Sequence, residues 1–436
     1  MTKKTESRED HVSVNIHEGF YLNRSLSLPT VIMEYAQVES ILRQLQYVAC
    51  ITVRIEQLNE IEYKYGSVTY NNLLGSIAGM LKDLKSKVFR KQDIMVVDLF
   101  DIDTFVIFLS PPRHDRTRLL YHLEGVTERI RSNIQDRVFD LFYSYVKEYH
   151  RPTIGYALVL HNPMINTMRL IMQLIGNSKK MGGFLAHKHD HVSKYSLQKL
   201  IIEQEIQTVF QPIVDLRNGE IVGYESLSRG PADTEFAKPL LLFLLAAKYD
   251  LSFELDRLCR KKTLERVHNL KTDKKIFVNT LSMTIHDPEF RGVYLKELLD
   301  DLKIKPENVV FEVSEQLAID NFDLFREAMK DYSDIGIVHA YDDLGKGHSA
   351  LERIMELNPG YMKIDISFVR DIDKSYVKQE IVKALVNLAE NINSQVIAEG
   401  VETREEYKKL QELNVAYGQG FFFARPSEKL ITARTW

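Results

Sequence analysis

The sequence predicts an α/β chain: a C-terminal (β/α)8, TIM-like barrel with one antiparallel strand, preceded by an α+β sandwich. Three observations carry that expectation. From about residue 209 onward, short apolar runs alternate with helical patterns about eight times over some 240 residues, as such a barrel requires. Before about residue 190, apolar runs pair across tight turns and are flanked by helical patterns. The first two runs of the second half are separated only by Asp215–Glu220, with Asn218-Gly219 inside. Asn-Gly is a hairpin signal, so one barrel strand runs antiparallel.

Taken in order, residues 1–28 are polar and mixed and read as a loose tail. After Pro29, VIMEYAQVESILRQL has helical spacing. VACITVRI (Val48–Ile55) reads as a strand, and Leu58–Leu84 as a helix with a break at Gly66. Two strands, Asp93–Phe100 and Thr104–Leu109, flank the turn Asp101-Ile102-Asp103. A helix is expected over Leu119–Ile134, strands over Val138–Val146 and Thr153–Leu160, and a helix over Thr167–Lys180. KYSLQKLIIEQEIQTV has helical apolar spacing with no Gly or Pro, so residues 191–209 read as a semi-rigid helical linker between a domain at 29–190 and one at 210–436.

The barrel strands are expected at Val209–Val214, Ile221–Leu227, Ile276–Asn279, Val309–Val313, Ile335–Ala340, Tyr361–Ile364, Gln395–Ala398 and Gly420–Phe423, with helices such as Phe322–Tyr332 and Lys378–Asn391 between them.

Composition excludes several classes. Hydrophobic residues make up 44% and charged residues 27%, ordinary for a folded chain with sizeable cores. A net charge of −4 argues against bulk nucleic-acid binding. Cys50 and Cys259 allow neither a disulfide framework nor a cysteine zinc site, which suits a reducing, cytoplasmic setting. MTKKTESREDH lacks the apolar stretch of a signal peptide, and no apolar run approaches the ~18 residues of a membrane span.

The chemistry lies in what ends each strand. Ile221–Tyr224 runs into Glu225, Ile276–Val278 into Asn279, Val309–Phe311 into Glu312, and Val338–Tyr341 into Asp342 and Asp343. Tyr361-Met362 runs into Lys363, Val396–Ala398 into Glu399 with Glu402 one turn on, and Gln419 opens the last run. In a barrel, strand C-terminal ends converge on one face, where catalytic residues sit. Carboxylates gathered there raise one another's pKa unless a cation compensates. All-oxygen ligands select hard ions such as Mg²⁺ or Mn²⁺ over zinc. Two ions, with Asp342 bridging, would activate water and stabilise the leaving oxygen of a phosphoryl displacement, with Lys363 offsetting charge.

The stretches FQPIVDLRNGEIVGYESLSRG, FVNTLS, FEVSE, DDLGKGHSAL, GYMKIDISFV, VIAEGVET and GQGFFFARP, in that order, resemble the EAL family of bacterial cyclic di-GMP phosphodiesterases. The resemblance implies that Glu225, Asn279, Glu312 and Asp342 hold a first metal, and that Asp343, with Glu399 nearby, serves a second. It implies that Lys363 and Glu399 handle the water, Glu399 as candidate base, and that Gln211, Arg229, Glu402 and Gln419 contact the dinucleotide. Arg229 suits a phosphate because its fork matches the oxygens. Glu315 anchors the loop after the paired aspartates. Where the family loop reads DDFGTGYSSL, this chain has Leu344, Lys346, His348 and Ala350, and Ser226 stands at the middle of the name motif. None of these is a ligand position. His339 and His348 read as packing and loop residues.

The first half resembles a degenerate GGDEF domain, the diguanylate cyclase fold, through VACITVRIEQLNEIEYKYG and RPTIGYA. Its signature turn reads Asp101-Ile102-Asp103-Thr104-Phe105, without the glycines that let backbone approach a triphosphate. Arg54 and Thr104 stand at metal-ligand positions, so cyclase activity is expected to be absent. Arg90-Lys91-Gln92-Asp93 reads as a surface spacing and not as the family's product-binding motif. The reading is hydrolysis of cyclic di-GMP to linear pGpG by a homodimer associating through its EAL domains. The N-terminal half regulates it and offers a surface to a protein partner. The alternative is a catalytically silent cyclic di-GMP receptor signalling through a partner.

Overall fold

The computed structural model describes residues 22–23, 26–101, 103–110, 119–270, 272–314, 322–344 and 359–432. The chain forms two compact units, Met1–Tyr195 and Ser196–Trp436. Among the described residues no helix is long and apolar enough to cross a membrane.

In the first unit, α1 (Tyr35–Leu45), β1 (Tyr47–Arg54), α2 (Leu58–Asp83), β2 (Ile94–Val97), β3 (Thr104–Leu109), α3 (Leu119–Tyr143), β4 (Thr153–Leu160) and α4 (Thr167–Ile202) follow one another. The strands form one antiparallel sheet in the order β2-β3-β1-β4. Strand periodicity splits its side chains into two cores. Ile51 and Val53 pack with Leu58 and Ile61 of α2 and Ile130 and Ile134 of α3. Val48 and Cys50 pack with Val38 and Leu42 of α1 and Leu170 and Leu174 of α4. Gly155 lets α4 approach β4: a Cβ there would lie 1.9 Å from the Ser178 carbonyl. The expected break in α2 is real, with Gly66 at φ 84°.

Four expectations need correction. Leu26 and Leu28 are buried, so the loose tail does not extend to residue 28. Val138–Tyr143 continues α3 and is no strand, because Ile130, Ile134, Val138 and Phe142 recur every four residues on its buried face. The helices expected on either side of residue 187 are one helix, α4. It ends at Ile202, and strand begins by Gln207, so the linker is not helical to residue 209.

The second unit is a closed eight-stranded barrel. Its elements are β5 (Gln207–Asp215), β6 (Ile221–Arg229), α5 (Pro239–Lys248), α6 (Ser252–Leu270), β7 (Lys275–Thr280), α7 (Gly292–Asp301), β8 (Val309–Ser314), α8 (Phe322–Asp334), β9 (Val338–Leu344), β10 (Tyr361–Ile364), α9 (Tyr376–Asn391), β11 (Gln395–Ala398), α10 (Arg404–Glu412) and β12 (Tyr417–Gly418). β5 runs antiparallel to both its neighbours, β6 and β12, as the Asn-Gly turn predicts. The last strand is Tyr417–Gly418, and the apolar run Gly420–Phe423 expected in its place is a turn. Its cause is local: a Cβ on Gly420 would lie 2.1 Å from the Val401 carbonyl, and Phe422 and Phe423 fold back to cap the Tyr407 ring.

Candidate active site

The barrel interior has an apolar floor made of Ile213, Phe277, Val310, Ala340 and Ile397, with Tyr361 and Tyr417 packed against it. Successive inward side chains on a strand are two residues apart. One step toward the mouth from those floor residues gives, in turn, Gln211, Asn279, Glu312, Asp342, Glu399, Lys363 and Gln419. Glu225 stands one step above Gly223, where a Cβ would meet the Lys275 carbonyl at 2.7 Å and the Phe277 ring at 3.1 Å. The site is therefore a single polar layer laid directly on packed hydrocarbon.

Lys363 is its centre. The fully buried ammonium lies 2.7 Å from Glu399 Oε1, 2.8 Å from Glu312 Oε1, 3.2 Å from Asp342 Oδ1 and 3.6 Å from Glu225 Oε2. Burial works against its charge, but Asp342, Glu225, Glu312 and Glu399 outweigh it and hold the pKa well above that of an ordinary lysine. One ammonium does not balance four acids. Burial, together with Glu225 and Asp342, lifts Glu312 well above the carboxylate range against the pull of Lys363. Burial likewise pushes Glu399 up to about 8. Glu312 Oε2 is buried without a hydrogen-bond partner among the described residues. An unpaired buried carboxylate oxygen is costly in a folded protein.

A second chain of contacts fixes the rim. Asn279 Nδ2 donates to Glu225 Oε1 at 3.1 Å. Gln419 Nε2 donates to Glu225 Oε2 and to Gln211 Oε1, and Gln211 Nε2 donates to the Ala424 carbonyl. Gln211 sits directly opposite Glu225 in the β5/β6 register. Two backbone features aim the acids. The register of β9 against β10 shifts between Tyr341 and Leu344, a bulge that takes in Asp342 and re-aims its side chain. Gly400, at φ +67° and closely packed on Ile366, turns the chain immediately after Glu399.

The structure thus gathers Glu225, Asn279, Glu312, Asp342, Lys363, Glu399, Gln211 and Gln419 into one network. Glu402 stands outside it, paired with Arg370 at 3.3 Å. Arg229 donates to the Ser228 carbonyl. The side chain of Asp343, and Glu315 and His348 altogether, lie outside the described residues. His339 is buried with Nε2 3.2 Å from the Met329 carbonyl, a packing role. Arg370, Gly400 and the bulge are positioning features that sequence reading missed. A floor residue two positions before Asn279, Glu312, Asp342, Lys363, Glu399 and Gln419 is the signal that finds most of the layer. A surface cavity of about 590 Å³ lined by Gly219, Glu220 and Lys274 lies beside the hairpin turn, at the opposite strand ends from this layer.

The donor set fits a hard divalent cation. It consists of oxygens from adjacent strands, acid in excess, with one buried oxygen unclaimed. Among the described residues no three His, Cys, Asp or Glu side chains are gathered as a metal site, and the Lys363 ammonium holds the point on which they converge.

In the first unit, the turn before β3 holds Asp98, Asp101 and Asp103 against two cations. Lys179 Nζ lies 2.6 Å from Asp98 and 2.7 Å from Asp101. Arg54 lies 3.8 Å from Asp101 and 3.7 Å from Asp103.

A family model described as the EAL domain matches residues 195–426. Cyclic di-GMP phosphodiesterase PdeA of Borreliella burgdorferi is 31% identical over 188 residues, covering 42% of this chain and 28% of that protein. The blue light- and temperature-regulated antirepressor BluF of Escherichia coli is 28% identical over 229 residues, covering 52% of this chain and 56% of that protein. The chain thus spans less than two thirds of the length of these relatives. The FimX EAL domain of Xanthomonas citri, solved in complex with c-diGMP, shares the fold with a TM-score of 0.53 and 16% identity, covering 57% of this chain and 99% of that one. The matched segment takes in every barrel strand and more than half of the sequence, and the chain belongs to the EAL domain family.

Proposed function

We propose that the barrel hydrolyses cyclic di-GMP to linear pGpG with two divalent cations, Mg²⁺ or Mn²⁺. The observation that carries this reading is the ring of carboxylates around one buried ammonium, with Glu312 Oε2 unpartnered among the described residues. An anionic phosphodiester approaches such a ring only when cations neutralise it. The name of the Borreliella relative supports the substrate. Glu225, Asn279, Glu312 and Asp342 would hold one ion, and Asp343 and Glu399 the other. When bound, such ions polarise a phosphoryl oxygen and lower the pKa of water.

The chain's own residues do the rest. Gln211, Arg229, Glu402 and Gln419 bind and orient the dinucleotide. Lys363 orients the attacking water and offsets charge building on phosphorus. Glu399 takes the water's proton as the new P–O bond forms; one bridging P–O bond breaks, its electron pair leaves on the ribose oxygen, and that oxygen takes a proton from solvent as the ring opens. Separating products after incubation with Mg²⁺ and with Mn²⁺ tests this: linear pGpG is expected. Binding of the dinucleotide without turnover under both ions would establish instead the second reading, a silent receptor signalling through a protein partner.

The N-terminal unit reads as a degenerate GGDEF domain, cyclase-inactive and regulatory, because Arg54 and Lys179 already pair with the acids of its turn. Given GTP and Mg²⁺, the full chain should make no cyclic di-GMP. Residues 196–436 alone should differ from the full chain in turnover, and identical kinetics would remove the regulatory role. Association through the EAL domain, a partner at the N-terminal unit and a cytoplasmic setting complete the reading.

A further inference from the structure

Helix α4 carries a histidine pair that the barrel chemistry does not use. His187 and His191 stand four residues apart, hence on one helix face, and both are exposed. Their rings meet edge to face, with centroids 4.5 Å apart at an interplanar angle of 88°. The two Nε2 atoms converge to 3.1 Å. That contact is a hydrogen bond only when one Nε2 carries a proton and the other is bare. The same separation is also the bite of a chelate. Two nitrogens each about 2.05 Å from one ion lie about 2.9 Å apart at a right angle and about 3.35 Å apart at the tetrahedral angle.

We propose that His187 and His191 form a two-imidazole site for a transition-metal dication of the Zn²⁺ or Ni²⁺ class. The helix already holds the two Nε2 atoms within the bite of one ion, so binding replaces a single ring–ring hydrogen bond with two coordinate bonds. Among the described residues no third His, Cys, Asp or Glu completes the set, so water fills the remaining positions and the site is open. Imidazole selects zinc, nickel and copper, whereas Mg²⁺ keeps to oxygen. Ion preference therefore separates this site from the barrel mouth. An ion joining positions four apart also ties one turn of α4 together, so opening of the backbone there slows when the ion is bound.

The test is calorimetric titration of the full, untagged chain with Ni²⁺ in the presence of saturating Mg²⁺, comparing wild type with His187→Gln and His191→Gln. Both positions are exposed, and circular dichroism should show both variants folded. One class of Ni²⁺ site should weaken by at least about tenfold in each variant, the low end of what even an outer-shell partner is worth to a metal. Hydrogen exchange in peptides covering residues 183–195 should slow on adding Ni²⁺ to wild type and not to His191→Gln. Equal Ni²⁺ affinity and stoichiometry in all three proteins, or equal slowing of exchange in wild type and variant, would overturn the site.

Discussion

The two acid clusters of this chain solve the same electrostatic problem in opposite ways. At the barrel mouth, four carboxylates face one ammonium, and among the described residues Glu312 Oε2 is left without a hydrogen bond. In the N-terminal unit, three aspartates face two cations, and Lys179 alone claims Asp98 and Asp101 at under 3 Å. A cluster short of positive charge attracts cations, while one nearly neutralised by its own side chains does not. The difference lies in which residues the strands present. β10 supplies Lys363 to the barrel layer, where acids outnumber it, while β1 supplies Arg54 and α4 supplies Lys179 to a turn that is nearly balanced already. Both halves gather acids, and the charge count separates a candidate active site from a self-sealed one.

The largest break in this comparison should come from removing an acid at the deficient site. Lewis-acid polarisation contributes several kcal/mol to a displacement of this kind. Asp342→Ala should therefore lower kcat for cyclic di-GMP on the order of 10³-fold, with the circular dichroism spectrum unchanged. Wild-type turnover in that variant would remove Asp342 from the chemistry. Next comes the lone cation. Removing one partner of a buried ion pair costs about 3–5 kcal/mol, and Lys363 serves four acids. Lys363→Ala should lower the melting temperature of the barrel in EDTA, and Mg²⁺ should restore part of the loss. A variant as stable as wild type without metal would mean that the acids are protonated and not charge-paired.

A smaller effect is expected at the balanced site. Arg54 keeps a third of its side chain exposed, so solvent screens its pairing with the buried Asp103. Arg54→Ala should cost about 1–2 kcal/mol, the lower part of the range of about 1–3 kcal/mol for an unsatisfied buried group, read as a lower melting temperature of the N-terminal transition, and should create no GTP turnover. No change in that transition would show that the ion pairs at 3.7 and 3.8 Å contribute nothing.

Much of this contrast was legible in the sequence, for reasons that differ by region. Each barrel strand is a short apolar run that ends on a polar residue, so Glu225, Glu312, Asp342, Lys363 and Glu399 announce themselves locally. Which acids Lys363 would pair with was not legible, because strand-to-strand distances leave no trace in local pattern. The last strand was misplaced because Gly420–Phe423 is apolar and β-prone, while the true strand is only Tyr417–Gly418. Val138–Tyr143 was misread for the same reason, propensity outweighing a four-residue spacing that continued from Ile130. In the N-terminal unit, Arg54 was readable as a misplaced cation. Lys179 was not, since it arrives from a helix about 80 residues away from the turn it neutralises.

The most delicate test exploits the residual strain of the balanced cluster. Asp103 is nearly inaccessible, and its Oδ1 has no hydrogen-bond partner among the described residues. Burial, then the neighbouring Asp101, push its pKa up to about 7 against the pull of Arg54. Asp101 moves the other way. Burial opposes its charge, but the hydrogen bond with Asp103 and the Lys179 ammonium draw it down to about 2. An unfolded aspartate titrates near 3.9. Between about pH 4 and pH 7, then, the folded state holds a proton on Asp103 that the unfolded chain has released. Stability from this group falls as pH rises through that window and is level above it. Asparagine keeps the shape and the hydrogen-bonding pattern of the protonated acid but never ionises. Asp103→Asn should therefore melt a few degrees higher than wild type at pH 8, with the gain shrinking as pH falls and vanishing near pH 4. Melting curves of both proteins across that range give the answer. A difference that stays constant with pH would show that Asp103 is ionised in the folded protein throughout, and that Arg54 balances it more completely than the geometry implies.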